Sequence, residues 1–145
     1  MAKLKIYRGL PGSGKSTRAK VENPGWLHFE PDHLLTDTFG SYIYSDELHY
    51  RAKHLAQMLV DHSLAKGRDV AYSEVLCNLV DLIPLIQLAH FHDAEIEIID
   101  CIGHYRSVHG VPMWVVDEMR SEFDYNVNPK VEKYLEKLES PTDMH

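Results

Sequence analysis

Gly9-Leu10-Pro11-Gly12-Ser13-Gly14-Lys15-Ser16-Thr17 matches the pattern G-x-x-x-x-G-K-[ST], and it constrains the fold more than any other feature of the chain. The pattern has meaning only between a strand and a helix, and both flanks comply. Leu4 to Arg8 is a short apolar and β-branched run ending at glycine, and Ser16 to Val21 can start a helix. Glycines at these positions let backbone N–H groups turn inward around an anion, while the positive end of the following helix points at the same place. Lys15 would reach the β- and γ-phosphates of a nucleoside triphosphate and Ser16 would hold Mg²⁺, with Gly9, Pro11, Gly12, Ser13, Gly14 and Thr17 completing the cradle. An ordinary glycine-rich turn needs neither Lys15 nor Ser16 in that register.

The rest of the chain alternates in the way such a loop requires. Further strands are predicted over Trp26 to Phe29, Asp69 to Ser73 and Glu95 to Cys101. Between them lies a helix over Asp46 to Lys66, with Leu48, Ala52, Leu55, Ala56, Leu59, Val60 and Leu64 on one face and Lys66-Gly67 as its stop. Leu79 to Phe91 reads as an apolar helix with Pro84 in its first turn or bending it. Pro112 to Phe123 follows, and Asn128 is expected to cap a last helix over Pro129 to Leu138 in which Val131, Tyr134, Leu135 and Leu138 share a face. Strands alternating with helices imply parallel pairing, so we expect a P-loop NTPase-type α/β fold, a parallel sheet flanked by helices. We expect one domain over 1–139 and a frayed tail over 140–145.

Composition narrows the partners. The chain has 145 residues, 15 Lys plus Arg against 22 Asp plus Glu, and a net charge of -7, the wrong sign for coating nucleic acid nonspecifically. The charge is uneven, because Lys3, Lys5, Arg8, Lys15, Arg18 and Lys20 all precede the first acid, Glu22. That segment either draws an anionic ligand or is a solvated face. Cys77 and Cys101 stand in no ligand-like spacing and read as small buried hydrophobes. The N-terminus lacks the apolar core of a signal peptide and no stretch is long and apolar enough to span a bilayer, so we expect a cytoplasmic protein without a membrane partner. The ten histidines, among them His49, His54, His90 and His92, show no metal-ligand register and read as solvated or helix-end residues.

Six further positions bear on chemistry, each with two readings. Asp32 follows the second strand, where a carboxylate either accepts the proton of an attacking hydroxyl or caps a helix containing His33-Leu34-Leu35. Glu74 ends the third strand and belongs either to the Mg²⁺ shell or to a helix cap. Arg106 lies in the polar segment His104 to Pro112, either as part of a lid over phosphates or as a surface arginine. Phe39, Tyr42 and Tyr44 either stack on a base or pack a loop.

With these pieces in place the sequence resembles the kinase domain of phage-type polynucleotide kinases and their small stand-alone relatives, often called AAA-type ATPases. The resemblance runs from about Lys5 to Phe123. It rests on Arg8 to Thr17, on Asn23-Pro24-Gly25 ahead of Asp32, and on Val108-His109-Gly110-Val111-Pro112 followed by Met119-Arg120. It implies an ATP- and Mg²⁺-dependent transfer of the γ-phosphoryl group to a polynucleotide 5′-hydroxyl, with Asp32 as general base, Arg106 as lid arginine and Glu74 at an acidic motif. Three departures stand out. Val75 follows Glu74 where a polar residue is usual, Leu34, Leu35 and Thr36 bring no basic residue after Asp32, and His104 and His109 stand where lid arginines occur. They leave open a hydroxyl on a modified DNA base, a nucleoside or a small metabolite as acceptor, and a non-catalytic ATP-binding switch as an alternative to an enzyme.

Overall fold

The computed structural model describes residues 1–35, 45–103 and 112–140. Phe39, Tyr42, Tyr44, Arg106 and the final five residues of the expected tail lie outside the described residues. Four strands, β1 (Lys3–Arg8), β2 (Leu27–Phe29), β3 (Val70–Glu74) and β4 (Glu95–Asp100), form one sheet in the order β2-β3-β1-β4. All three pairings are parallel, with Leu4 opposite both Val70 and Ile96, and Arg8 opposite both Glu74 and Asp100. The helices are α1 (Lys15–Glu22), α2 (Asp46–Ala65), α3 (Leu79–Phe91), α4 (Met113–Glu122) and α5 (Asn128–Glu139), with a 3₁₀ turn over Pro31–Leu34. The chain is thus the expected single-domain α/β fold. Among the described residues no helix is long and apolar enough to cross a membrane.

Strand alternation divides the core between the two faces of the sheet. Leu4, Ile6, Val70 and Tyr72 point to one face, where Ala56, Val60 and Leu64 of α2, Leu82, Leu85 and Ile86 of α3, and Val131 of α5 close over them. Tyr7 and Ala71 point to the other, which α1 covers through Ala19 beside Cys101. Farther along that second face Lys3 and Lys5 meet Glu95 and Glu97 of the adjacent strand at 3.8–4.0 Å. These lysines therefore complete a cross-strand charge ladder, and with Arg8 against Asp100 half of the six opening cations face acids of β4.

Several expected details are corrected. Leu48 and Leu55 are exposed, because 3.6 residues per turn carries them to the margin of the Ala52-Ala56-Val60-Leu64 row that meets the sheet. Pro84 lies beyond the first turn, and α3 continues through it without the backbone bond a non-proline would donate. Asn128 is already inside α5, whose cap position is Val127, so no side chain caps that end. Gly67 stops α2 as expected, with φ +72° and its N–H donating to the Leu64 carbonyl. Both cysteines are buried, and burial pushes the Cys77 thiol up to about 11.

Candidate active site

In a parallel sheet, the loops at the carboxyl ends of the strands meet where the strand order turns back on itself. Here β1 lies between β3 and β4, so the glycine-rich loop leaves the sheet at that point. Gly12 and Gly14 have φ of +81° and +87°, a left-handed conformation that residues with a Cβ seldom adopt. Gly9 is required for a different reason: a Cβ there would sit 2.2 Å from Ser13 Oγ and 2.7 Å from the Cys101 carbonyl oxygen. Gly14 stands at the cap position of α1 with no side-chain cap, and the helix carries no acid in its first turn, so its positive end is left for a ligand.

Two buried polar groups in this loop lack what burial normally demands. Among the described residues Ser13 Oγ has no hydrogen-bond partner. Lys15 is 5% exposed, and among the described residues no ion pair reaches its ammonium. A buried cation without an anion is costly. A phosphate would satisfy both.

Glu30 ends β2 and faces this loop. It is 3% exposed, and among the described residues neither carboxylate oxygen has a hydrogen-bond partner; the His33 ring lies 2.9 Å from Oε2, close enough to pair by charge. Burial pushes the Glu30 carboxyl up, yet His33, the Lys15 charge and the neighbouring Ser16 hydroxyl outweigh it and hold it down at about 2. The same contact, chiefly through Glu30, raises His33 above its ordinary value.

Asp32 is inside the 3₁₀ turn whose cap position is Glu30, so it does not cap a helix. Its Oδ1 is 3.9 Å from His49 Nδ1 on α2. Glu74 caps nothing either, since Asn78 caps α3 by accepting from the Asp81 N–H. Glu74 Oε1 accepts from the Tyr72 hydroxyl at 2.6 Å, and Oε2 lies 3.4 Å from Lys53 Nζ and 3.6 Å from His49 Nε2. Burial pushes the Glu74 carboxyl up, but His49, Lys53 and Tyr72 hold it below its ordinary value. His49 is raised in turn, first by Glu74. It is therefore not a solvated histidine: it stands between two carboxylates.

The sequence reading named the loop, Asp32 and Glu74, and the structure places these at one end of the sheet. It missed Glu30, His33, Lys53 and Tyr72, and it misjudged His49. One signal was available for α2, where His49 and Lys53 at i and i+4 adjoin the buried Ala52-Ala56 row. Among the described residues no three His, Cys, Asp or Glu side chains converge as a metal cage. A cation held jointly by a hydroxyl, a carboxylate and phosphate oxygens needs no such cage.

No protein-family model matches the sequence, and neither does any curated protein. Solved structures do match. A chain of the Pnkp1/Rnl/Hen1 complex is 20% identical with a TM-score of 0.60, over 88% of this chain and 42% of its own. A chain of the Pnkp1/Rnl/Hen1 RNA repair complex is 20% identical with a TM-score of 0.58, over 99% and 46%. The Cys556Ala mutant of the Mycobacterium tuberculosis APS kinase CysC is 16% identical with a TM-score of 0.52, over 96% and 98%. The chain thus spans less than half the length of the two repair-complex chains and nearly all of the APS kinase. At these identities the likeness shows the fold alone, a parallel α/β sheet flanked by helices.

Proposed function

We propose that this chain is an ATP- and Mg²⁺-dependent kinase that transfers the γ-phosphoryl group to a hydroxyl, with the 5′-hydroxyl of a polynucleotide as acceptor. The observation that carries the reading is the buried Lys15 ammonium at the head of α1, with no ion pair among the described residues, in a loop whose glycines take the conformation of an anion nest. A likeness in fold to Pnkp1-complex chains and to an APS kinase supports the class of reaction.

In this reading the backbone amides of Gly12 to Thr17 bind the β- and γ-phosphates, and Lys15 balances the charge that grows on them during transfer. Asp32 takes the proton of the acceptor hydroxyl as its oxygen bonds to the γ-phosphorus. The bond from that phosphorus to the β–γ bridging oxygen breaks, and ADP leaves. Ser16 would hold Mg²⁺, which supplies charge neutralisation at the phosphates when bound. Arg106, outside the described residues, is assigned to the lid by the sequence alone.

A second reading, a nucleoside or small-metabolite acceptor, is favoured by one observation. Leu35, in the stretch where a basic residue is absent, is buried against the fold and offers nothing to a nucleic-acid phosphate. The deciding measurement uses labelled ATP and compares the specificity constant for a nucleoside, a dinucleotide and a longer oligonucleotide at two salt concentrations. A polynucleotide acceptor gives constants that rise with length and fall modestly with salt. Equal constants across the series would leave the small-molecule reading, and wild-type transfer by a folded Lys15→Ala variant would remove the kinase reading altogether.

A further inference from the structure

We propose that Glu30, and not Glu74, is the carboxylate that holds the divalent cation with Ser16. The inference rests on the kinase reading above and deepens it. A β3-terminal acid next to the loop strand is the obvious candidate from topology, and Glu74 occupies that place opposite Arg8. Its two oxygens are nevertheless committed. One accepts the Tyr72 hydroxyl, and the other faces the Lys53 ammonium and the His49 ring from α2. A dication brought to Glu74 would meet the Lys53 ammonium at close range and find the His49 ring already against the same oxygen, with burial leaving little water to screen the charges. Those contacts make Glu74 a latch that fixes α2 to the sheet.

Glu30 presents the opposite case. Its carboxylate is buried, and among the described residues neither oxygen has a hydrogen-bond partner, an arrangement that nothing in the fold requires. The groups acting on it are the loop's own Lys15 and Ser16, together with His33. A hard cation between the Ser16 hydroxyl and Glu30, directly or through one bound water, supplies the missing coordination, and phosphate oxygens complete the shell. His33 then stands behind Oε2 and orients the carboxylate. Lys15 is drawn away to the phosphates, so it does not compete for the same oxygens.

The test uses Mn²⁺ in place of Mg²⁺ and the β,γ-imido analogue of ATP, with free Mn²⁺ read by electron paramagnetic resonance on the full chain. Glu30→Gln should weaken Mn²⁺ in the ternary complex by about 10–100-fold, while metal-free nucleotide affinity stays within about twofold. Glu74→Gln should leave Mn²⁺ affinity at the wild-type value. Circular dichroism checks that each variant folds, and if Glu30→Gln does not, Glu30→Asp replaces it with the same expected direction. Wild-type Mn²⁺ affinity in the folded Glu30 variant, its loss in Glu74→Gln, or no Mn²⁺ uptake by the wild-type complex would overturn the assignment. If the wild-type complex binds Mn²⁺ through Glu30 yet transfers phosphate to no acceptor, the kinase reading fails and this assignment stands.

Discussion

Arg8 is the last residue before the loop, and it is fully buried. Its Nε donates to the Leu76 carbonyl at 2.9 Å, one terminal nitrogen to the Cys77 carbonyl at 2.9 Å and the other to Asp100 Oδ1 at 2.8 Å, while the guanidinium lies 4.0 Å from the centre of the Phe123 ring. One side chain thus ties the loop strand to the segment after β3, to the end of β4 and to the residue after α4. Arg8→Met keeps most of the aliphatic stem and removes every one of these bonds. The Leu76 carbonyl loses the Arg8 donor, at about 1–3 kcal/mol. The Cys77 carbonyl fares better, because it also accepts from the Asp124 N–H at 2.7 Å. Asp100 is 22% exposed and recovers part of its hydration. With the ring contact added, the expected loss is about 3–5 kcal/mol, the range for breaking a buried pair by removing one partner. In urea, at about 2 kcal/mol per molar, the midpoint should fall by about 2 M with an unchanged slope. Asp100→Asn leaves the Leu76 and Cys77 bonds in place and should cost only about 1 kcal/mol. A midpoint shift for Arg8→Met below about 0.5 M would refute the account, because it would mean that the freed carbonyls find water or new donors at little cost.

The remaining predictions are more local. Asp32→Asn should keep nucleotide affinity and lower transfer about 10²-fold or more, as expected for a positioned base; a proportional fall in rate and affinity would make Asp32 structural. Gly9→Ala drives a methyl group onto Ser13 Oγ and the Cys101 backbone, so it should weaken ATP binding measured by calorimetry well beyond any loss of fold stability, and unchanged affinity would contradict the packing at Gly9. Stability should depend on pH at both ends. Glu30 has its carboxyl held at about 2 against an ordinary 4.5, so its contribution is present above 4.5 and fades as pH falls toward 2. His33 and His49 are raised above 6.5, so theirs is complete below 6.5 and fades as pH rises through the folded-state values. Urea midpoints at about pH 5.5 and 9 should therefore differ in favour of the lower pH, and His33→Gln should shrink the difference. An undiminished difference would remove the His33–Glu30 contact from the account.

What the sequence disclosed was what neighbouring residues impose on one another. The loop was legible because positive φ at Gly12 and Gly14 and the crowding at Gly9 restrict those positions to glycine, and Lys15 and Ser16 follow in a fixed register. The parallel α/β fold was legible from alternation, because helices between strands leave few ways to pair them. Charge partners were not legible, since sheet order chooses them. Lys3 and Lys5 look like an anion site until β4 is laid beside β1, which sets Glu95 and Glu97 against them. Glu30 looks like a residue stranded before Pro31 until β2 ends across the sheet from the loop helix, where Lys15 and Ser16 act on it. The same pairing bears on the acceptor. Lys3, Lys5, Arg8 and Arg18 each face a carboxylate, so four of the six opening cations are already engaged within the fold. An oligonucleotide held near Asp32 then releases few counterions, and its affinity should fall with salt along a shallow slope. A steep slope would require phosphate contacts elsewhere, and Lys133 and Lys137 along one side of α5 are the cations to replace first.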